Sequence, residues 1–160
     1  MRTIDGSGTA RGLRFAVVVA QYNDFVTDRL QDGALAALAR HGALDSDVTV
    51  VRVPGAFEIP TAARLAAKSG QFDGVVCLGC LIRGATPHFE YISSAVAHGL
   101  TTAAGDTGIP MAFGVLTTNS AEEALARAVD GPSNKGWEAA TATVEMAIIA
   151  RALARTTPVS

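Results

Sequence analysis

One stretch of the chain, residues 77–90, carries most of the residue types that could do chemistry. A turn that contains Gly84 leads from an apolar segment toward a helix start, and such turns leave backbone N–H groups without carbonyl partners. These groups could bind an anion such as phosphate, next to the positive charge of Arg83. The amides concerned belong to Gly84, Ala85, Thr86 and His88.

His88 stands at the rim of this predicted anion site. Histidine in general titrates near neutrality, so a histidine beside bound phosphate is suited to moving protons. The competing interpretation is an ordinary helix start with a solvated histidine in its first turn. These residues alone do not decide between the two interpretations.

The flanking sequence predicts the elements that must position these groups. Residues 74–81 are nearly all apolar and β-favouring, which is typical of a strand buried on both faces of a parallel sheet. Thr86 is predicted to be the N-cap of the following helix, with Pro87 at its first position. Glu90 then adds negative charge to the first turn.

Cys77 and Cys80 are three positions apart on this predicted strand. Strand residues alternate between faces, so the two thiols should point to opposite sides and cannot easily share a metal ion or a disulfide. We therefore interpret them as buried core thiols and predict no metal site.

Length, composition and charge limit the classes of protein. The 160 residues most simply form a polar N-terminal arm (residues 1–12) and a single domain (residues 13–160). The net charge of −2 indicates no basic surface for nucleic acid.

No segment approaches the ~20 apolar residues of a membrane span, and no signal-peptide pattern is present, so we expect a cytoplasmic protein. Hydrophobic residues make up 49% of the chain and charged ones 18%, which predicts apolar surface buried between subunits.

The segments repeat one plan, an apolar strand followed by a loop and an amphipathic helix. We predict strands at residues 14–20, 47–53, 74–81 and 110–116, and a last helix at about residues 135–155. Right-handed crossovers make such strands parallel. The predicted fold is a three-layer α/β/α domain with a four-stranded parallel sheet in the flavodoxin-like order 2-1-3-4. The glycines of residues 6–12 precede the first strand, which argues against a Rossmann cofactor.

Ligands of such sheets bind beyond the carboxyl ends of the strands. Tyr22, residues 56–58, residues 80–88 and a predicted loop at residues 117–119 fall there, and we expect them to converge on one crevice. Tyr22 is either a half-buried ring or a stacking platform for a flat ligand. Glu58 either complements a helix dipole or holds ligand hydroxyl groups.

The residue pattern of the fourth strand and its helix favours structural roles over ligand binding. Phe113 in the strand is interpreted as core. Ser120 and Glu123 form a predicted capping box, and Arg127 follows Glu123 by four residues, which favours an exposed ion pair.

Several separate blocks of the chain resemble lumazine synthase, the enzyme of the penultimate step in riboflavin synthesis. The resemblance covers nearly the whole chain from the first strand onward, with the blocks in the family's order. The blocks are residues 22–25 (YNDF), 53–60 (VPGAFEIP), 79–90 (GCLIRGATPHFE), 114–119 (GVLTTN) and 134–138 (NKGWE).

The resemblance implies a condensation of 5-amino-6-(D-ribitylamino)uracil with 3,4-dihydroxy-2-butanone 4-phosphate, giving 6,7-dimethyl-8-ribityllumazine, phosphate and water. It implies no metal and no organic cofactor. It also implies a homo-oligomer, a pentamer or a pentamer-based shell, and riboflavin synthase as a protein partner. Residues 130–133 differ from the loop typical of capsid-forming members, so the size of the assembly stays open.

The resemblance also assigns roles to matching positions. His88 would shuttle protons, and Tyr22 would stack on the pyrimidine where the family more usually has Phe or Trp. The aminouracil would contact Tyr22, Ala56, Phe57, Glu58, Cys80, Leu81, Ile82 and Phe113; the phosphate would contact Gly84, Ala85, Thr86 and Arg127; and Asn23, Lys135 and Glu138 would line the same pocket.

In the predicted strand order, the crevice opens between the first and third strands. Phe113 and Arg127 belong to the fourth strand and its helix, at the far edge of the sheet. We therefore expect a neighbouring subunit to present these two residues to the crevice, as the resemblance implies.

Two rival functions use the same fold. A non-catalytic flavin or lumazine carrier should lack His88 or the Arg127 partner, and this chain has both. A riboflavin synthase would bind two lumazines and would need no site for the butanone phosphate.

Overall fold

Strands and helices alternate along the chain because apolar runs rich in β-branched residues are separated by segments with apolar residues at helical spacing. The computed structural model describes residues 1–155. The strands are β1 (Phe15–Ala20), β2 (Val48–Val53), β3 (Gly74–Ile82) and β4 (Met111–Thr118), and the helices are α1 (Asp24–Arg40), α2 (Ile59–Lys68), α3 (His88–Thr107), α4 (Ala121–Ala126) and α5 (Lys135–Ala154).

The four strands form one parallel sheet in the order β2-β1-β3-β4, which confirms the predicted topology. In β1, Val17 pairs with Val50 of β2 on one side and with Val76 of β3 on the other. The central strands are buried along nearly their whole length, whereas β2 and β4 are edge strands and stay partly exposed. This arrangement leaves one side of β4 without a strand partner among residues 1–155.

Helices cover both faces of the sheet and create two cores. Leu30 of α1 and Val144 of α5 pack on one face, while Ile59 of α2 and Val96 of α3 pack on the other. These side chains are 1% exposed or less, so the three-layer α/β/α prediction is confirmed.

The two cysteines belong to different cores, as the alternation along a strand predicts. Cys77 packs with α2 and α3, whereas Cys80 packs with α1 and α5. Burial raises the pKa of Cys77 to about 12 and that of Cys80 to about 11. Both thiols are therefore protonated at neutral pH and are poor nucleophiles.

Residues 1–12 contain no helix or strand, but they lie against the domain. Ala10 is fully buried, and its amide donates to the carbonyl of His41 over 2.8 Å. Gly6 lies so close to α5 that an added Cβ would come within 2.4 Å of the Glu145 Cβ. Backbone contact of this kind requires a residue without a side chain at position 6.

Helix α3 begins one residue later than predicted. Pro87 takes the cap position instead of Thr86, and its carbonyl accepts from the amides of Glu90 and Tyr91 at 3.1 and 3.4 Å. No side chain caps this helix, so Thr86 remains part of the turn. The helix runs to Thr107, where Gly108 at φ 70° supplies the left-handed cap.

The predicted loop at residues 117–119 is wrong for its first two positions. Thr117 and Thr118 pair with Leu81 and Ile82 and extend β4, since β3 also continues to Ile82. Threonine is β-branched and suits this extension. The observed ends of β1, β2 and α5 lie within one residue of their predicted ends.

Among residues 1–155, no helix is both long and apolar enough to cross a membrane. No group of three or more His, Cys, Asp or Glu side chains in the same range is arranged to hold a metal ion.

Candidate active site

A crevice of about 890 Å³ lies beyond the carboxyl ends of β1, β2 and β3. It forms there because the loops after all three strands leave the sheet at the same edge. Most of the predicted crevice residues lie in its wall. The residues lining it are Tyr22, Asn23, Pro54–Glu58, Leu81, Ile82, Gly84, Thr86, His88, Phe89, Tyr91, Ile92 and Ala95.

Tyr22 and Asn23 form the loop between β1 and α1. The Tyr22 ring is 71% exposed, so the interpretation as a half-buried ring is wrong, and one wall of the crevice is an aromatic surface. Asn23 has φ 63° and ψ 43°, a left-handed conformation that no other non-glycine residue in the range 1–155 adopts. Its side-chain amide donates to the carbonyl of Cys80 over 2.8 Å. This hydrogen bond fastens the Tyr22 loop to the end of β3.

Residues 56–58 form a single 3₁₀ turn at the start of α2. Ala56 is buried beneath the turn, while the Phe57 ring is 64% exposed. Glu58 is partly buried, and no group within residues 1–155 pairs with its carboxylate. Its oxygens are therefore able to accept hydrogen bonds from ligand hydroxyl groups.

The turn between β3 and α3 presents backbone amides to the crevice. The N–H groups of Gly84, Ala85, Thr86 and His88 donate to no carbonyl or side chain within residues 1–155. His88 is exposed at the first position of α3, directly after the turn. Free amides at a helix N-terminus favour an anion, so the geometry supports the predicted phosphate position.

Arg83 contributes less charge to this turn than the sequence suggested. Its guanidinium pairs with the Glu90 carboxylate, donates from Nε to Asn119 Oδ1 over 3.0 Å and lies 4.6 Å from the centre of the Phe89 ring. The pKa of Glu90 is lowered by hydrogen bonding to its own amide and by Arg83, so the carboxylate stays charged and offsets the arginine. Among residues 83–88, the groups left unpaired for an anion are therefore the backbone amides rather than Arg83.

A second concave surface, which we call the hollow, lies between β4 and α5 and measures about 430 Å³. Phe113 lies here and is 47% exposed. The interpretation of Phe113 as core is wrong, because β4 is an edge strand. Thr117, which we expected in the crevice, also lines the hollow. The residues that bring charge to it are Arg127, Lys135 and Glu138.

Arg127 follows α4 and does not pair with Glu123 as predicted. Its Nη1 donates to the Glu123 carbonyl over 3.0 Å. The carboxylate of Glu123 is already engaged at the helix start, where Oε2 accepts from the Asn119 amide over 3.0 Å. Ser120 Oγ accepts from the Glu123 amide over 3.1 Å, which confirms Ser120 as the N-cap. Arg127 thus keeps donor groups for a ligand, while Lys135 and Glu138 pair with each other over 2.9 Å.

The structure therefore divides the predicted site residues between two surfaces. The crevice holds those of β1, β2, β3 and α3, and the hollow holds Phe113, Arg127, Lys135 and Glu138. Cys80 lies behind the wall, with its carbonyl bonded to Asn23. Ala85 lies in the turn between Gly84 and Thr86.

Sequence reasoning missed one wall of the crevice. Tyr91, Ile92 and Ala95 of α3 line it, and Tyr91 is 73% exposed. The signal was present in the spacing, because residues three, four and seven positions after His88 share its helix face.

Comparisons with known proteins identify a family and a relative whose sequences are similar to this chain. The family described as 6,7-dimethyl-8-ribityllumazine synthase matches residues 12–151. A relative from Syntrophus aciditrophicus (strain SB), named 6,7-dimethyl-8-ribityllumazine synthase, is 51% identical over 147 residues, which cover 92% of this chain and 96% of the relative.

Proposed function

Because this chain belongs to the 6,7-dimethyl-8-ribityllumazine synthase family, we propose that it carries out the family's reaction in sites that combine the crevice of one copy with the hollow of its neighbour. The chain is an enzyme, a transferase of riboflavin biosynthesis. It condenses 5-amino-6-(D-ribitylamino)uracil with 3,4-dihydroxy-2-butanone 4-phosphate to give the lumazine and phosphate.

The observation that carries the assignment of substrates is the grouping of unlike binding surfaces in one crevice. An exposed aromatic ring suits the flat pyrimidine, an unpaired carboxylate at Glu58 suits the ribityl hydroxyls, and the free amides before His88 suit phosphate. A substrate with a flat ring, a polyol chain and a phosphorylated partner matches these surfaces.

The chemistry requires little beyond positioning and proton transfer. The primary amine of the aminouracil attacks the ketone and water leaves to form an imine. Phosphate is then eliminated, and the second nitrogen closes the ring onto the remaining carbonyl with loss of a second water. Each step moves a proton, and in this proposal His88, which lines the crevice, takes or returns it. Holding the two reactants together supplies much of the acceleration, because the amine and ketone are already reactive.

The positions of Phe113 and Arg127 support a shared site. Both lie in the hollow, on the edge strand and after α4, away from the free amides of their own chain. A guanidinium is the strongest phosphate partner among the side chains proposed here, so the phosphate site is incomplete until one reaches the turn at Gly84–Thr86. A neighbour in a closed ring would present its hollow to this crevice and would also bury the exposed Phe113 ring.

The direct test is to mix the purified protein with both substrates and record lumazine fluorescence together with phosphate release. Formation of both products in equal amounts supports the assignment. A carrier would bind lumazine without forming it, and a riboflavin synthase would convert lumazine to riboflavin and ignore the butanone phosphate. Sedimentation in the same buffer measures whether the active species is a closed ring or a larger shell.

A further inference from the structure

Resting on the proposed function, we infer that Asn134 is a positioning residue that holds Arg127 and Lys135 where the neighbour's phosphate site needs them. Asn134 is 1% exposed and reaches neither the crevice nor the hollow, so it does not touch substrate. Any effect of Asn134 on substrate binding must therefore act through Arg127 and Lys135, whose positions it fixes.

Asn134 uses both ends of its side-chain amide. Oδ1 accepts from the amides of Gly136 and Trp137 over 2.7 and 3.1 Å, which caps the N-terminus of α5. Nδ2 donates to the carbonyl of Arg29 on α1 over 3.1 Å, across 105 positions of sequence. One side chain therefore sets both where α5 begins and how it docks on α1.

Two glycines allow this arrangement by bringing the helices into backbone contact. An added Cβ at Gly33 would lie 2.2 Å from Asn134 Oδ1, and one at Gly136 would lie 2.0 Å from the Leu30 carbonyl. These distances are far below van der Waals contact, so the start of α5 can approach α1 this closely only with glycine at both positions. A longer or shorter side chain at position 134 cannot make the same three hydrogen bonds.

The start of α5 in turn fixes Arg127. The amide of Lys135, the residue after Asn134, donates to the Arg127 carbonyl over 2.9 Å. The backbone N–H of Asn134 donates to the Gly131 carbonyl over 3.0 Å, which closes the loop between α4 and α5. Arg127 and Lys135 both line the hollow, so a shift at Asn134 displaces the two cations that face the neighbour.

The experiment compares Asn134→Ala and Asn134→Asp with Thr143→Ala as a matched control. Thr143 is buried on the same helix and its hydroxyl donates to the Ala139 carbonyl, but it lies about two helical turns from Lys135. Asp at position 134 keeps the acceptor for the α5 amides and loses the donor to Arg29. Three quantities are measured for each variant: the melting temperature, the KM for each substrate, and the rise in melting temperature caused by inorganic phosphate.

We expect Asn134→Ala to raise the KM for the butanone phosphate about 10-fold, with the KM for the aminouracil within about 2-fold of wild type, because small displacements of binding groups cost much of their contribution. Asn134→Asp should fall between this variant and wild type. Thr143→Ala should lower the melting temperature while leaving the ratio of the two KM values unchanged. The rise in melting temperature caused by inorganic phosphate should be smaller in both Asn134 variants than in wild type and unchanged in Thr143→Ala.

The inference would be overturned if Asn134→Ala changed the KM values of the two substrates equally. It would also be overturned if the ratio of the two KM values were the same in Asn134→Asp as in Thr143→Ala. If Asn134→Ala does not fold, Asn134→Asp decides the question alone. If wild type makes no lumazine, the proposed function fails instead, and the response to inorganic phosphate still decides whether Asn134 positions an anion site.

Discussion

The crevice and the hollow offer different groups to a ligand. The crevice, of about 890 Å³, offers aromatic rings, one unpaired carboxylate and free backbone amides, whereas the hollow, of about 430 Å³, offers Arg127, Lys135 and Glu138 around the exposed Phe113 ring. The crevice is the larger of the two and has unpaired dipoles, whereas the hollow is smaller and has the guanidinium of Arg127. The crevice offers surfaces for both a flat heterocycle and a phosphate, but the guanidinium of Arg127 lies in the hollow.

This difference explains why we assign the complete site to two copies of the chain. In the proposed site, amides of the turn after β3 would fix the position of an anion, and a guanidinium would supply the full positive charge that they lack. The following predictions test this division of roles, beginning with the largest expected effect.

Arg127→Ala should raise the KM for the butanone phosphate by about 100-fold, because a guanidinium paired with phosphate forms charge-assisted bonds that the aminouracil never makes. The KM for the aminouracil should stay within about 3-fold of wild type. Steady-state kinetics with each substrate varied in turn measures both values. Similar rises for the two substrates would remove Arg127 from the phosphate site.

His88→Ala should slow turnover by about 10- to 100-fold without abolishing it, because bound phosphate and water can also carry protons. Neither KM should change by more than about 3-fold if His88 moves protons and does not bind substrate. Stopped-flow fluorescence at saturating substrates gives the rate. Complete loss of activity in a folded variant that still binds phosphate would show that no other group replaces the histidine.

A mixture of Tyr22→Ala and Arg127→Ala, unfolded together and reassembled in equal amounts, should recover activity about 10-fold above either parent. If a site takes Tyr22 from one copy and Arg127 from the next, random assembly leaves about one quarter of the sites with both residues intact. Each variant reassembled alone is the control. A mixture no more active than its parents would place both residues of each site in the same chain.

Tyr22→Phe should have the smallest effect, with a change of less than about 3-fold in the KM for the aminouracil, because stacking depends on the ring and its exposed hydroxyl has no partner within residues 1–155. Tyr22→Leu is the matched comparison, since it keeps an apolar side chain and removes the flat surface. A large loss in Tyr22→Phe would mean that the hydroxyl binds substrate or the neighbouring copy.

Much of the fold follows from the sequence because its signals are local. Alternating apolar strands and helical segments predicted the parallel sheet, and the loops after the first three strands predicted where the crevice lies. The spacing of Cys77 and Cys80 placed them in opposite cores, and the pattern of Ser120 and Glu123 predicted a real helix cap. In each case the relevant partners are a few residues apart or on the same strand.

Tertiary structure decided the features whose partners are distant in sequence. Phe113 has the sequence of a core residue and is exposed, because β4 lies at the edge of the sheet. Arg127 has the spacing of an ion pair and bonds a carbonyl, because the Glu123 carboxylate is held by Asn119. The separation of crevice from hollow has the same origin. Sequence periodicity determines which face of an element is apolar, but the strand order and the packing of neighbours determine which of those faces are covered.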